Sequence, residues 1–365
     1  MKLMKLTVCL SGLLLAILVF TSPKSFSEAP PKNAFEVKNG VNISHWLSQS
    51  DQRGQRRKAF FTRADVEFIA GLGYDHIRLP IDEEQMFTEN GEKEAEAFAL
   101  LHDALGWCEE FQLRTVVDLH ILRTHHFNAA EKPLFTDPKA QEQFYECWRK
   151  LSGELSKYSV DKVAYETMNE PVADDPEIWN LIVNRCVEVI RELEPQRTIV
   201  MGSNRWQSYS TVKDLRVPEN DPNILISFHY YDPFMLTHYK ASWTHMKDIN
   251  VPVHYPGQLI ADVDMDIAGN YAREGRTVFN IDVMEGHFKQ VIEVAKKYNL
   301  KLYCGEYGCI NAAPEPDKVR WYKDLFTLFE RHGIARANWD YKGGFGIRRG
   351  TEPQTDMINA ILGKE

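Results

Sequence analysis

Between Arg114 and Asn169 the chain reads RTVVDLH at residues 114–120, then Phe144, Cys147, Trp148, Leu151 and Leu155 at helical spacing, then VAYETMN at residues 163–169. A β-rich run, an amphipathic helical run and a second β-rich run in that order argue for parallel strands joined by a crossover helix. The strands are nearly continuously apolar, as in a sheet buried on both faces.

The unit extends in both directions. GVNIS (40–44) and HIRLP (76–80) precede it, and TIVM (198–201), ILISFHY (224–230), KLYCGE (301–306) and ARANWDY (335–341) follow, which makes eight strands. Helical spacing recurs in Phe98, Leu101, Leu105 and Cys108, in Ile182, Cys186, Val189 and Leu193, and in Val319, Tyr322, Phe326 and Phe329. Thr62 and Asp65 have the spacing of a capping box. These alternations predict an α/β fold, a closed (β/α)8 TIM barrel forming a single domain over residues 28–365. A doubly wound open sheet is the competitor, but no G-x-G-x-x-G or Walker loop follows any strand. The longest connection, Asp232 to about Glu285, exceeds an ordinary loop and is expected to form part of a binding face.

With 365 residues, 44% of them hydrophobic and 26% charged, the chain has the makeup of a folded globular protein able to bury a large core. Its formal net charge of -9 makes nucleic acid and anionic membrane surfaces poor partners, and a neutral substrate fits better. The first 27 residues place Lys2 and Lys5 ahead of the uncharged run Leu6–Phe20 and end on a small-x-small pattern, Ser25-Phe26-Ser27. That is the layout of a secretory signal peptide cleaved after Ser27. The run is shorter than the about 20 residues of a spanning helix, so a secreted or periplasmic monomer is expected, with no membrane attachment after cleavage. Cys108, Cys147, Cys186, Cys304 and Cys309 contain no CxxC pair and read as buried free thiols, with a Cys304–Cys309 bridge left open.

In such a barrel the working groups gather at the C-terminal ends of the strands. Those ends carry Arg78, His120, Asn169 with Glu170, His229 with Tyr231, Glu306 and Trp339. Glu170 closes YETMNEP and Glu306 closes LYCGEYG, on the fourth and seventh strands, which face each other across the barrel mouth. Two carboxyls so placed suit a bond held between them. One Glu at a strand end is more often a structural cap, but two, each ending a buried strand, argue for chemistry. Asp118, His120, His125 and His126 form a dense group of metal-ligating types. Barrel metallohydrolases usually carry a His-x-His pair on the first strand, where Ser44-His45 stands here, so no metal is expected. No cofactor signature appears, and the cluster Arg53, Arg56, Arg57 and Lys58 reads as a solvated loop.

Asn169-Glu170-Pro171 together with Glu306 resembles glycoside hydrolase family 5, the cellulase family, and the likeness runs along most of the chain. GVNISHWL is similar to that family's Gly-x-Asn-x-x-x-Trp strand, HIRLP to its arginine strand, VVDLH to its histidine strand, FHYYDP to its His-x-Tyr strand and NWDY to its tryptophan strand. The resemblance implies a retaining hydrolase of a β-glucan, foremost an endo-β-1,4-glucanase, with Glu306 as nucleophile and Glu170 as acid/base, about 5–5.5 Å apart. It assigns Arg78 and Tyr231 to keeping Glu306 ionised, Asn169 to the sugar 2-hydroxyl, and His120 and His229 to orienting the sugar and the carboxylates. Trp339 would floor the subsite beside the cleaved bond. Among the loop aromatics Trp46, Trp206, Trp243, Tyr230 and Tyr239, the preferred sugar platforms are Trp46 and Trp243. Three departures leave the polymer open: Ser44-His45 in place of small residues, Tyr239 and Lys240 within LTHYKASW in place of Gln and Gly, and Ile121 after His120. A β-mannanase, an exo-β-glucanase and a non-catalytic carbohydrate-binding barrel are the alternatives.

Overall fold

The computed structural model describes residues 30–364, and the leader expected over residues 1–27 lies outside them. Eight strands, β1 (Asn39–Asn42), β2 (His76–Asp82), β3 (Arg114–Ile121), β4 (Val163–Glu166), β5 (Ile199–Gly202), β6 (Ile224–Tyr230), β7 (Lys301–Tyr307) and β8 (Ala335–Asn338), close into one ring in chain order. Every neighbouring pair is parallel, including β1 with β8. The fold is the (β/α)8 TIM barrel.

Helices α1 (Arg63–Gly71), α2 (Ala95–Glu110), α3 (Pro138–Leu155), α4 (Pro176–Leu193), α5 (Ile281–Tyr298), α6 (Glu315–His332) and α7 (Thr355–Leu362) wrap the ring. Between β5 and β6 a short 3₁₀ turn, Tyr209–Asp214, replaces an eighth helix. The Thr62 capping box forms as expected, with the Thr62 amide donating to Asp65 at 2.9 Å. The Tyr341 hydroxyl and Lys342 ammonium reach the same carboxylate at 2.7 and 2.8 Å, which ties α1 to the loop after β8. Three helix tryptophans act likewise on strand ends: the indole N–H of Trp148 donates to the Thr167 carbonyl, that of Trp179 to Gly202 and that of Trp321 to Asp232, each at 2.9 Å. The loops beyond β4, β5 and β6 are thereby anchored by buried hydrogen bonds.

Period-two alternation splits each strand into an outward apolar face and an inward face. Ile77, Leu79, Val117, Leu119, Tyr165 and Met201 join the shell under the helices. Inside, Val116, Ala164, Val200, Leu225, Tyr303 and Ala337 make an apolar layer that also holds Phe35. Two residues beyond Val116 and Ala164 the inward side chains become Asp118 and Glu166, which meet Arg78 of β2, and all three are fully buried. The barrel is thus apolar at its floor and ionic at its mouth.

The structure revises several expectations. β4 ends at Glu166 rather than Asn169, and β8 at Asn338 rather than Tyr341. The chain leaves the sheet before Glu170, which adopts a left-handed φ of 45°, and Pro171 has no amide to continue a ladder. Cys304 and Cys309 are unbonded and buried, as are the other three described cysteines. Residues 55–60 are helical, and Arg57 is not solvated: its guanidinium is buried against Gln85 (2.7 Å) and Glu94 (3.1 Å). Among the described residues no helix is long and apolar enough to cross a membrane.

Candidate active site

Arg78, at the centre of β2, organises the barrel mouth. Its Nε and Nη2 pair with Glu166 at 2.6 and 3.0 Å, Nη2 lies 3.1 Å from Asp118, and Nη1 donates to Glu306 at 2.7 Å and to the Asn42 amide oxygen at 2.9 Å. Burial opposes the guanidinium charge, but the surrounding carboxylates hold its pKa well above the ordinary arginine value. Asn42 spends its amide N–H groups on the carbonyls of Gly305, Ala337 and Asn338, so its oxygen is turned toward Arg78.

Glu306 ends on Arg78 through one oxygen and accepts from the Tyr231 hydroxyl through the other, at 2.9 Å. Among the described residues the Glu170 carboxyl meets only His229, whose Nδ1 lies 3.0 Å from its Oε1. A carboxylate oxygen of Glu170, one of Glu306 and a His229 ring nitrogen all fall within 4.8 Å of one another. Burial raises both carboxyls, and the neighbouring charge of Glu306 raises Glu170 further, well above the ordinary range. Arg78, followed by weaker contributions that include the Tyr231 hydrogen bond, opposes the rise at Glu306. The shared proton therefore belongs on Glu170, and Glu306 is the anion of the pair.

Both site histidines are held neutral by burial, His120 with a pKa pushed down to about 3 and His229 well below its usual value. A neutral His229 can accept from a protonated Glu170 or donate to an ionised one. His120 is fixed by Asp118 at 2.7 Å and lies parallel to the Trp339 indole, centroids 5.6 Å apart. Asn169 accepts from Arg78 through its oxygen at 2.9 Å, which leaves its amide N–H groups for the cavity it lines.

These groups open into a cavity of ≈ 810 Å³, a size and a mixed aromatic and polar lining suited to a multi-ring ligand. His120, Asn169, Glu170, His229, Tyr231, Glu306 and Trp339 all line it, while Arg78 lies directly beneath. Trp243, 62% exposed, and Trp206, 45% exposed, stand on its walls. The early part of the 232–285 connection contributes Phe234, His238 and Trp243, as expected of a binding face. Trp46 is a correction: it is 1% exposed, packs on Phe61 with centroids 5.1 Å apart and donates its N–H to the Arg57 carbonyl. Tyr230 and Tyr239 are also buried away from the cavity, bonded to His287 and to the Val251 carbonyl. Asp118, His120, His125 and His126 do not converge: Asp118 is spent on Arg78 and His120, and His125 donates to the Glu170 carbonyl.

Four supporting residues escape a reading of strand ends alone: Asn42, Asp118, Glu166 and Gln207. The first three were within reach, since each lies at an even offset inward on its strand. Gln207 lies in the loop after β5 and gives no sequence signal.

A (β/α)8 barrel whose mouth holds two close glutamates, one buried on a cationic platform and one partly buried beside a neutral histidine, defines a glycoside hydrolase. The family model Cellulase (glycosyl hydrolase family 5) matches residues 37–344, and the chain belongs to that family. It is 32% identical over 317 residues to Endoglucanase C of Acetivibrio thermocellus, covering 84% of this chain and 91% of the relative. With Cellodextrinase A of Ruminococcus flavefaciens it shares 31% identity, covering 81% of this chain and 83% of that protein. A hyperthermophilic endo-β-1,4-glucanase solved with substrate superimposes with a TM-score of 0.74 at 24% identity, over 90% of this chain and 97% of the other. Thermotoga maritima Cel5A, solved with cellobiose and with mannotriose, superimposes with a TM-score of 0.72 at 21% identity, over 89% of this chain and 97% of the other.

Proposed function

We propose that this protein is a retaining endo-β-1,4-glucanase in which Glu306 is the nucleophile and Glu170 the acid/base. The observation that carries the reading is the unequal environment of two close carboxyls: Arg78 and Tyr231 donate to Glu306, whereas Glu170 faces only His229. In the first step Glu306 bonds to the anomeric carbon, the glycosidic C–O bond breaks and the Glu170 proton passes to the departing oxygen. In the second step water attacks that carbon, Glu170 takes the proton from the water and Glu306 leaves as a carboxylate. Carboxyls within about 5 Å suit direct attack, because a water-mediated inversion needs about 6.5–9.5 Å.

Asn169 offers its free amide N–H groups to the sugar 2-hydroxyl, a bond that strengthens as the anomeric carbon becomes cationic. Trp339 presents its ring to the C–H face of the sugar held over Glu306. Two of the relatives described above are named for endoglucanase and cellodextrinase activity, which favours a β-1,4-glucan over other β-linked polymers. Export of a monomer through the 1–27 leader completes this reading.

The test is incubation with β-1,4-glucan, β-1,3-glucan, mannan and xyloglucan, following product length and anomeric configuration by proton NMR. Internal cleavage of β-1,4-glucan with initial β-configured ends, absent from Glu306→Ala, is expected. Cleavage of mannan alone would move the substrate, and initial α-configured ends would overturn the retaining mechanism.

A further inference from the structure

The loop after β5 runs through three consecutive left-handed residues, Arg205, Trp206 and Gln207, with φ of 58°, 59° and 50°. None is glycine, and the left-handed region is disfavoured for side chains, so the turn persists only because its surroundings impose it. The segment clamps the chain that carries Glu170. The Asn204 amide bonds both the N–H and the carbonyl of Ala173, at 2.8 and 2.9 Å, and the Trp206 amide donates to the Pro171 carbonyl at 3.3 Å.

Gln207 completes the clamp from within. Its side chain is fully buried; its amide oxygen accepts from the Glu170 backbone N–H at 3.0 Å, and its amide nitrogen donates to Glu166 at 3.1 Å. Glu166 is the same carboxylate that grips Arg78, and Arg78 in turn grips Glu306. One side chain therefore links the backbone of one catalytic glutamate to the ionic platform of the other. Space for it exists only because residue 202 is glycine: a Cβ there would lie 1.9 Å from the Gln207 amide nitrogen. Glu170 itself has a left-handed φ of 45°, which an unsupported glutamate would not keep.

We propose that Gln207 is a positioning residue for Glu170, holding the acid/base backbone in register with the Glu166–Arg78–Glu306 platform so that the carboxyl meets the departing oxygen. The inference rests on the assignment of Glu170 as acid/base. A carboxyl displaced by about 1 Å can lose roughly 10²-fold in rate, and in kcat/KM, which reports the first step, the loss is confined to substrates whose leaving group needs the proton. Dependence on the leaving group therefore separates positioning from a general structural role.

The experiment compares kcat/KM on phenyl β-cellobioside, whose leaving group needs protonation, with that on 2,4-dinitrophenyl β-cellobioside, whose leaving group does not. Wild type, Gln207→Met, Gln207→Ala and Glu170→Ala are measured, with melting curves for each. The methionine keeps the length and apolar bulk of glutamine but makes neither hydrogen bond. The expected result is a roughly 10–100-fold fall on the phenyl substrate for Gln207→Met with less than about a threefold change on the dinitrophenyl substrate. Glu170→Ala should give the same pattern more strongly. Equal losses on both substrates for Gln207→Met, or none on either, while Glu170→Ala discriminates, would overturn the role of Gln207 alone. Equal losses for Glu170→Ala would overturn the acid/base assignment and the inference with it. If the methionine variant does not fold, the alanine variant is read by the same ratio; failure of both to fold would make Gln207 a folding residue and also end the proposal.

Discussion

Nη1 of Arg78 lies 2.7 Å from Oε1 of Glu306, while the other nitrogens of the same guanidinium face Glu166 and Asp118. One buried cation thus serves three carboxylates, and removing it leaves them with only the neutral partners Tyr231, Gln207 and His120. Arg78→Met should lower kcat/KM by about 10²–10³-fold, as loss of a preorganised electrostatic partner does, and destabilise the fold by about 3–5 kcal/mol. Urea unfolding and polymer hydrolysis check the two effects, and a variant of unchanged stability would show that the platform is not load-sharing as described.

In the proposed mechanism Glu170 must be protonated and Glu306 ionised, so the alkaline limb of kcat/KM is expected to report Glu170 and the acidic limb Glu306. Burial and the charge of Glu306 push Glu170 well up, which places the alkaline limb far above the range of a free carboxyl. The Tyr231 hydroxyl donates to ionised Glu306, so its loss favours the protonated form. Tyr231→Phe should therefore move the acidic limb upward and leave the alkaline limb in place. A full pH–rate profile of both proteins decides it.

Asp82 is 3% exposed, its Oδ1 has no partner, and burial pushes its pKa up to about 7. A carboxyl raised on folding contributes stability that is full below its unfolded pKa, near 4, and is lost as pH rises through its folded value. Asp82→Asn cannot ionise and should be more stable than the parent at pH 8, with the gain fading at roughly 1 kcal/mol per pH unit toward pH 4. Chemical denaturation at pH 4.5, 6 and 8 checks the sign, and a gain that is the same at all three values would refute the assignment to Asp82.

Trp46 and Trp243 should behave oppositely although both lie in loops. Trp46→Ala removes a 1% exposed ring with a satisfied N–H and should cost about 3–5 kcal/mol. Trp243→Ala removes a 62% exposed ring on the cavity wall and should leave stability within about 0.5 kcal/mol, while raising KM for cello-oligosaccharides up to about tenfold. Thermal melts and initial-rate kinetics separate the two roles.

The alternation of strand and helix over residues 114–169 and its repeats were enough to read the barrel, because near-continuous apolar runs and a helical period of 3.6 are local properties of the chain. They were not enough for strand ends. Thr167 to Asn169 looks as strand-like as Val163 to Glu166, yet β4 ends at Glu166 and the backbone turns to a left-handed φ of 45° at Glu170, whose amide bonds Gln207. Trp46 and Trp243 are likewise indistinguishable as letters; which one faces the cavity depends on whether Phe61 and the Arg57 carbonyl or open space lies against the ring.

The sequence by itself determined the class of fold, the two glutamates and the ring of residues named with them, since each is set by a strand's periodicity or by a short contiguous motif. The tertiary structure alone supplied the physical reason for placing the proton on Glu170, as proposed. That choice depends on Arg78 and Tyr231, distant in the chain, coming to 2.7 and 2.9 Å of Glu306 and not of Glu170. It depends too on Gln207 reaching back to the Glu170 amide. Electrostatic energies fall off with distance in space and are strongest where water is excluded, and neither separation nor burial is a property of neighbouring residues along a chain.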